Sequence, residues 1–278
     1  MKLIAESGST STNWRVLDND KTIGFDTLGI NPLFLNKQQV IDDIKKQFPK
    51  AIRYSDITEI QFYGPGCSTK ERCKLVSETL SQIFTNALTE INTDLLAAAR
   101  ALFGKQAGIA CILGTGSNSG LYDGKRIIEN IPATGYILGD EGSGANLGLR
   151  FIKAYLNKKI EHELAQKFEQ SFQLQVSDII DRVYKGAYPN RFLAGFAPFI
   201  NQNIAYPSIK RICTESFSEF IDWHILPYNK HQTQEISVAG SIASHFETTL
   251  QEAALSKGFQ FTKIIAKPID SLVDYSVL

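Results

Sequence analysis

The sequence predicts an α/β fold made of two related halves. Segments with the pattern of β-strands and segments with the spacing of amphipathic helices follow one another along the 278 residues. A strand–turn–strand unit near the N-terminus recurs about one domain length later, which indicates a duplicated domain. Hydrophobic residues make up 43% of the chain, enough to bury a sizeable core. We expect one domain over residues 1–106 and a second over residues 107–278.

Composition argues against several classes of protein. Because 29 Lys and Arg residues balance 29 Asp and Glu residues, the chain has no net charge to attract nucleic acid. No apolar run approaches the ~20 residues that span a bilayer, and Glu6 comes too early for the apolar region of a signal peptide. The four Cys and four His residues show no metal-ligand spacing. We therefore expect a cytoplasmic protein with no nucleic-acid or membrane partner.

In the first half, short β-rich segments come before two amphipathic helices and a third helix rich in Ala and Leu. Asn92 or Thr93 is a suitable N-cap for the third helix, and Gly104 is a suitable stop. The predicted strands are residues 2–5, 12–18, 22–27 and 59–63, and the predicted helices are residues 37–47, 68–84 and 93–103.

The second half begins with a buried apolar strand and continues mostly as helices. A glycine-rich loop over residues 139–144 precedes a helix, and Pro189, Pro198 and Pro207 interrupt the long helical region that follows. The predicted strands are residues 108–113, 235–239 and 259–266, and two predicted helices are residues 145–156 and the segment from Gly240-Ser241 to about residue 255.

The first strand of the repeated unit ends in a turn rich in Gly, Ser and Thr. Gly8 and Gly116 occupy equivalent places in the two copies, 108 positions apart. Such turns offer closely spaced backbone N–H groups and hydroxyls with little steric hindrance, a combination that binds anions. The two turns could therefore hold a polyphosphate from both sides of a cleft, although many Gly-Ser turns only connect strands. The turn residues are Ser7, Gly8, Ser9, Thr10 and Ser11 in the first copy and Gly114, Thr115, Gly116 and Ser117 in the second.

Three further features are candidates for a functional site. Asp140 and Glu141 lie in the glycine-rich loop at the start of a helix, where the helix dipole stabilises ionised carboxylates. Asp94 lies in the first turn of an otherwise apolar helix, and Gly240-Ser241 joins a strand to a helix, a place that can receive phosphate or ribose. Each also has an ordinary interpretation as a helix cap or a tight connection. The chain contains no G-x-x-x-x-G-K-[ST] motif, and Ser119 replaces the last glycine of a dinucleotide fingerprint.

Taken in order, four segments of the chain resemble the N-acetylglucosamine kinase branch of the BadF/BadG/BcrA/BcrD ATPases, within the actin, hexokinase and heat-shock ATPase superfamily. The segments are residues 7–10 (SGST), 93–101 (TDLLAAARA), 113–119 (LGTGSNS) and 138–144 (LGDEGSG). The resemblance covers nearly the whole chain. It implies two ribonuclease-H-like domains with ATP and Mg²⁺ in the cleft between them, and it implies a homodimer.

The resemblance also implies a role for each candidate residue. Asp94 would be the general base that takes a proton from a sugar hydroxyl. Glu6 would organise Mg²⁺ through water molecules, although the family usually has Asp here and Glu carries the charge about one methylene further out. The implied ATP ligands are Ser7, Gly8, Ser9, Thr10, Ser11, Gly114, Thr115, Gly116, Gly240 and Ser241, and the implied sugar ligands are Asn31, Ser117, Asn118, Gly135 and Asp140.

The leading hypothesis is ATP-dependent phosphorylation of a hydroxyl of N-acetylglucosamine or a related amino sugar. One alternative is an ATPase of the BadF type that activates a redox partner, for which cysteines such as Cys67 would hold an iron–sulfur cluster. Another is a sugar or nucleotide sensor without catalytic activity, a hypothesis that Glu6 motivates.

Overall fold

The computed structural model describes residues 1–19, 21–231 and 235–277. The chain forms two compact units, one of residues 1–106, 124–127 and 267 onward, and one of residues 107–123 and 128–266. The first change of unit coincides with the boundary expected at residues 106 and 107. The segment from residue 267 onward differs from that expectation, because it returns to the first unit instead of completing the second.

In the described part of the chain, ten strands alternate with thirteen α-helices. The strands are β1 (Lys2–Ser7), β2 (Ser11–Asp18), β3 (Lys21–Leu28), β4 (Glu59–Gly64), β5 (Leu88–Thr93), β6 (Gly108–Leu113), β7 (Ser117–Tyr122), β8 (Ile127–Ile131), β9 (Ile236–Ala239) and β10 (Phe261–Ile265). The helices are α1 (Lys37–Gln47), α2 (Lys70–Ser81), α3 (Asp94–Phe103), α4 (Gly135–Leu138), α5 (Gly144–Leu156), α6 (His162–Phe172), α7 (Val176–Tyr184), α8 (Pro189–Ala194), α9 (Ala197–Gln202), α10 (Pro207–His224), α11 (Ser241–His245), α12 (Glu247–Ser256) and α13 (Ile269–Val277).

The chain builds two five-stranded sheets that have the same strand order. The first sheet runs β3-β2-β1-β4-β5 and the second runs β8-β7-β6-β9-β10. In each sheet the central strand, β1 or β6, pairs antiparallel with the strand that follows it in sequence. The central strand pairs parallel with its other neighbour, which is β4 for β1 and β9 for β6. The predicted α/β fold with two related halves is therefore confirmed.

Local sequence signals place several elements at their predicted bounds. Helix α1 and strand β6 begin and end at the predicted residues. Asn36 caps α1, because its Oδ1 accepts a hydrogen bond from the backbone N–H of Gln39. Thr93 caps α3 in the same way, and Gly104 ends α3 with a positive φ of 60°.

Four observed elements, β5, β8, α4 and α13, are missing from the sequence prediction. No residue of β5 or β8 is fully buried, so neither strand carries a strong apolar signal. Helix α4 has four residues, too few to show a helical period. The three prolines that interrupt the helical region each lie in the first turn of a helix, α8, α9 or α10, where a missing N–H is tolerated.

The core of the first unit lies between its sheet and helices α1 and α2. Trp14 is fully buried and stacks on Phe25, with ring centroids 5.5 Å apart. Its Nε1–H donates to Oγ1 of Thr27 at 2.8 Å, so the indole is buried without an unpaired donor. Ile44 from α1 and Leu80 from α2 pack into the same core.

The core of the second unit is larger and rich in phenylalanine. Phe151, Phe168, Phe196 and Phe199 form one cluster, with the rings of Phe151 and Phe168 edge to face at 5.1 Å. Edge-to-face pairs add to the free energy that burial alone provides. Within the described residues of both units, no helix has the length and apolar character that crossing a bilayer requires.

Helix α13 packs against α3, β1 and β2 of the first unit. Leu272 is 1% exposed in this contact. Arg15 Nη2 on β2 forms an ion pair with Asp270 Oδ1 at 2.9 Å. The Arg100 guanidinium on α3 lies 5.2 Å from the ring centroid of Tyr275. The end of the chain is therefore part of the first unit's packing.

We expect Leu272→Ala to lower the free energy of unfolding by about 2–5 kcal/mol, because it leaves a cavity beneath α13. Urea denaturation followed by tryptophan fluorescence, to which the buried Trp14 contributes, would measure the loss. Leu88→Ala is the matched control, since Leu88 lies on β5 of the same unit and is 81% exposed. The control should change the free energy of unfolding by less than ~0.5 kcal/mol. Equal losses in the two variants would contradict the packing described for α13.

Candidate functional site

The first turn, residues 7–11, connects β1 to β2. The backbone N–H of Gly8 donates to the carbonyl of Ser11 at 2.8 Å and closes the turn. Gly29 supports it from behind, because its N–H donates to the carbonyl of Thr10 at 3.0 Å. A Cβ on Gly29 would lie 2.6 Å from the Gly8 carbonyl oxygen, so only glycine allows this approach. Thr10 and Ser11 are exposed. The turn is therefore fixed on one side and open on the other.

Ser7 differs from the rest of the first turn, because its hydroxyl is used within the fold. Ser7 is fully buried, and its Oγ accepts a hydrogen bond from the N–H of Ile30 at 2.8 Å. The same Oγ lies 2.9 Å from Oγ1 of Thr12. The Ser7 side chain thus anchors the turn, and the exposed residues after it are the ones with hydroxyls open to solvent.

Glu6 and Asp94 come together at one edge of the first sheet. Strands β1, β4 and β5 are parallel, so their carboxyl ends meet there. Glu6 lies opposite Tyr63, and Tyr63 lies opposite Asn92, two residues before Asp94. Helix α3 begins at Asp94, directly after β5. The Asp94 carboxylate therefore lies at the same sheet edge as Glu6, which is near the end of β1. The sequence prediction lacked β5 and therefore lacked this proximity.

Burial raises the pKa of both carboxyl groups of this pair. Burial, together with the negative charge of Asp94, raises the pKa of Glu6 to about 7, against the opposing effects of Asn13 and Lys267. Burial also raises the pKa of Asp94 to about 6, although its Oδ1 accepts a hydrogen bond from the N–H of Leu95 at 2.9 Å. Two partly ionised carboxylates near neutral pH are suited to accept a proton or face a cation.

The first unit can face a Mg²⁺ ion but does not surround one. Among the described residues, no group of three or more His, Cys, Asp or Glu side chains is arranged to hold a metal. Mg²⁺ is usually bound by one or two carboxylates together with water and phosphate oxygens. Glu6 fits that role, because a nearby cation would relieve the repulsion from Asp94 that helps to raise the pKa of Glu6.

Asn31 lies in the same unit, at the start of a short 3₁₀ helix (Pro32–Phe34). Its Oδ1 accepts a hydrogen bond from the N–H of Leu33 at 3.0 Å. A Cβ on Gly66 would lie 2.7 Å from this Oδ1, so Gly66 leaves the space that the Asn31 side chain occupies. The structure holds Asn31 in a defined orientation.

In the second unit, parallel pairing brings two predicted sites to one sheet edge. Strands β6 and β9 pair with Ile112 opposite Ala239. The second turn, residues 114–117, and the Gly240-Ser241 junction therefore follow neighbouring strands. Gly240 has a φ of 128°, and a Cβ there would lie 2.1 Å from the Leu113 carbonyl oxygen. Glycine is required at this position for the junction to lie against β6.

The glycine-rich loop packs on the second turn through Asp140. Asp140 is 8% exposed and has a φ of 59°, in the left-handed region that non-glycine residues rarely adopt. Its Oδ1 accepts a hydrogen bond from the N–H of Ser117 at 3.2 Å. Burial raises the pKa of Asp140, and that hydrogen bond opposes the rise. The Oγ of Ser117 is buried beside it without a hydrogen-bond partner, which marks a polar atom that a ligand could satisfy.

The remaining predicted sugar ligands lie in the same unit. Asn118 on β7 accepts hydrogen bonds at Oδ1 from the N–H of Ser119 and from Nδ2 of Asn130, both at 2.9 Å. Gly135 begins α4 with a φ of 81°, and a Cβ there would meet no atom within 4 Å. Ile137 and Leu138 of α4 are 74% and 80% exposed. The structure thus fixes Asn118 and leaves Gly135 in open space.

Sequence reasoning missed His224, which contacts the glycine-rich loop from α10. His224 is 4% exposed, and its Nε2 lies 3.0 Å from Oε2 of Glu141. Its ring stacks on Phe220 with centroids 5.2 Å apart. Because 83 residues separate His224 from Glu141, no local pattern could have indicated the pair.

The described cysteines are poorly suited to hold an iron–sulfur cluster. Burial raises the pKa of Cys67 to about 12 and that of Cys213 to about 12, and it also raises the pKa of Cys111. Cluster ligation needs the thiolate, which these surroundings disfavour. Cys73 donates its Sγ–H to the Cys67 carbonyl at 3.5 Å.

Three solved structures share the fold over nearly the whole chain. A protein of Porphyromonas gingivalis described as a putative N-acetylglucosamine kinase is 37% identical, with a TM-score of 0.92 and coverage of 99% of this chain and 98% of that chain. A putative N-acetylglucosamine kinase of Chromobacterium violaceum is 17% identical, with a TM-score of 0.75 and coverage of 99% and 98%. A putative sugar kinase of Cytophaga hutchinsonii is 16% identical, with a TM-score of 0.50 and coverage of 95% and 94%.

The second and third of these similarities show a shared fold alone. The similarity to the Porphyromonas gingivalis protein extends to the sequence. No protein-family model and no curated protein sequence matches the chain.

We expect Asp94→Asn to stabilise the free protein above pH 7. The pKa of Asp94 is about 6 in the fold against an ordinary value of 3.8, so folding disfavours its ionised form. The resulting loss in the free energy of unfolding is full above pH 6 and shrinks as the pH falls from 6 to 3.8. It vanishes where Asp94 is protonated in both the folded and the unfolded state. At 1.36 kcal/mol per pKa unit, the gain should be about 1–3 kcal/mol at pH 8 and much less at pH 4.

Urea midpoints of the wild type and the variant at pH 8 and pH 4 would measure this difference. Asp26→Asn is the control, because Asp26 is exposed on β3 of the same unit. A gain that does not depend on pH would contradict the burial of the Asp94 carboxylate.

The two glycines of the second turn give a matched pair of variants. A Cβ on Gly116 would lie 3.0 Å from Asp140 Oδ2, whereas a Cβ on Gly114 would meet nothing within 4 Å. We expect Gly116→Ala to displace the Asp140 carboxylate and lower the free energy of unfolding by about 1–3 kcal/mol. Gly114→Ala should leave it nearly unchanged. Thermal unfolding of both variants would measure these changes. A larger loss of stability in Gly114→Ala than in Gly116→Ala would contradict this prediction.

Proposed function

The chain belongs to the N-acetylglucosamine kinase-like family of the actin-like ATPase fold, and we propose that it transfers the γ-phosphoryl group of ATP to a hydroxyl of N-acetylglucosamine or a closely related amino sugar. The observation that carries the proposal is the Asp94 carboxylate, which stands beside Glu6 at the sheet edge where the first turn begins. The choice of an amino sugar follows the name of the Porphyromonas gingivalis protein.

In this proposal Asp94 is the general base. The sugar hydroxyl gives its proton to the carboxylate, the hydroxyl oxygen forms a bond to the γ-phosphorus, and the bond to the bridging oxygen breaks to release ADP. Because the N–H of Leu95 holds Oδ1, the other oxygen, Oδ2, is the one that would take the proton. A pKa of about 6 supports this role, since the group is ionised at pH 7 yet more basic than an ordinary Asp.

The turns after β1 and β6 would hold the phosphates. Phosphoryl transfer depends mainly on positioning and on neutralising charge, and backbone N–H groups of Gly- and Ser-rich turns supply both. Mg²⁺, when bound, supplies positive charge to the phosphate oxygens, and Glu6 would face it through water. The first turn contributes Gly8, Ser9, Thr10 and Ser11, with Ser7 as its anchor, and the second contributes Gly114, Thr115 and Gly116.

The other predicted residues would complete the two substrate sites. Gly240 and Ser241 follow β9 next to the second turn, which supports a role at the nucleoside. Asp140 and the unpartnered hydroxyl of Ser117 support a polar site for sugar hydroxyls beside the same turn. Asn31, Asn118 and Gly135 stay as proposed sugar ligands.

We expect Asp94→Asn to lower kcat by about 10²–10⁴-fold with little change in either KM, because the amide keeps the shape but accepts no proton. ADP release in the presence of Mg²⁺ and a panel of amino sugars would measure the loss. In the wild type, kcat/KM should fall as the pH drops below about 6, since protonation of Asp94 removes the base.

Asp26→Asn is again the control and should keep full activity, since this carboxylate is exposed on β3. The kinase proposal would be refuted if no sugar stimulated ADP release. It would also be refuted if Asp94→Asn were as active as the wild type.

A further inference from the structure

The end of the chain brings a lysine next to the first turn. Lys267 lies where the chain returns to the first unit, directly before Pro268 and α13. Its Nζ donates a hydrogen bond to Oδ1 of Asn13 at 3.1 Å. Asn13 Nδ2 in turn donates to Oε2 of Glu6 at 3.4 Å. A cation that is 254 residues away in sequence therefore stands beside the carboxylate at the end of β1.

The packing of α13 anchors this lysine. Pro268 and Ile269, which follow it directly, are buried. Asp270 is paired with Arg15 of β2 at 2.9 Å, which ties the start of α13 to the same hairpin. Lys267 itself remains exposed. The backbone at Lys267 is thus held in place, and its ammonium group reaches Asn13 from an exposed position.

Strand geometry puts the ammonium group on the same face as the exposed part of the first turn. Glu6 lies opposite Asn13 in the β1–β2 ladder. Side chains two residues apart on a strand share a face, so Ser11 points to the side of Asn13. Ser7 points to the other side, toward Ile30. Two residues of strand span ~7 Å, a distance that a chain of phosphate groups can cover.

We propose that Lys267 binds a phosphate oxygen of the nucleotide held at the first turn. This inference rests on the proposed kinase function. The first turn reads SGSTS and contains no basic residue, although the phosphates carry negative charge that the site must neutralise. Arg15, the other cation on this face of β2, is committed to Asp270. An ammonium group has three N–H donors and Asn13 uses one, so the others can serve phosphate oxygens.

The experiment is calorimetric titration of the full chain with ADP and Mg²⁺ in the absence of sugar. Lys267→Met removes the charge and keeps the length of the side chain, and Lys267→Arg keeps the charge. Lys21→Met is the matched control, because it removes the same charge. Lys21 is exposed at the start of β3, at the opposite end of the β2–β3 ladder from the first turn. We expect Lys267→Met to weaken ADP binding about 10- to 100-fold. Lys267→Arg should recover most of the affinity, and Lys21→Met should match the wild type.

Two results would overturn the inference alone. One is unchanged ADP affinity in Lys267→Met. The other is a parallel loss of ADP affinity, amino-sugar affinity and melting temperature in Lys267→Met, which would make Lys267 only a structural counter-ion of Glu6. If the wild type bound no ADP at all, the proposed kinase function would fail and this inference would fall with it.

Discussion

The burial of Glu6 beside Asp94 is the constraint on which the candidate site of the first unit depends. Parallel pairing of β1, β4 and β5 forces three strand ends to one edge, and α3 starts at that edge without a connecting loop. The fold therefore buries two carboxylates where burial raises both pKa values and the charge of Asp94 further disfavours ionisation of Glu6. If this sheet edge had only a structural role, apolar side chains could fill it with less loss of stability than two buried carboxylates cause. Perturbed acids of this kind are typical of functional sites.

The second unit uses the same sheet edge in a different way. Its strand order repeats that of the first unit, but glycines that allow close approach of the backbone take the place of the paired acids. Gly240 lies against the carbonyl of Leu113, and Gly116 lies beneath the carboxylate of Asp140. The first unit thus places two carboxylates at this edge, whereas the second places glycines there and the Asp140 carboxylate on its turn. The two halves of a duplicated fold therefore share a strand order but differ in the chemistry of this sheet edge.

The sequence predicts elements whose signals are local and misses contacts that depend on distant parts of the chain. The bounds of helix α1 could be predicted because Asn36 caps it and its apolar residues recur at helical spacing. Strand β5 could not be predicted, because its residues stay partly exposed at the edge of the sheet. Asp94 was identified as a candidate through its motif, but its proximity to Glu6 depends on β5. His224 and Lys267 reach the site from 83 and 254 residues away, and no periodicity in the sequence encodes such pairs.

The contacts of Glu6 give a reason for its length. An Asp at this position would carry its carboxylate ~1.5 Å closer to β1, one carbon–carbon bond short of the place that Glu6 occupies. At its observed length Glu6 reaches the amide of Asn13, and the charge of Lys267 opposes the rise in its pKa. The longer acid is therefore matched by a cation that the end of the chain supplies. Glu6 is the residue that motivates the hypothesis of a sensor without catalytic activity, and these contacts give its length a structural reason.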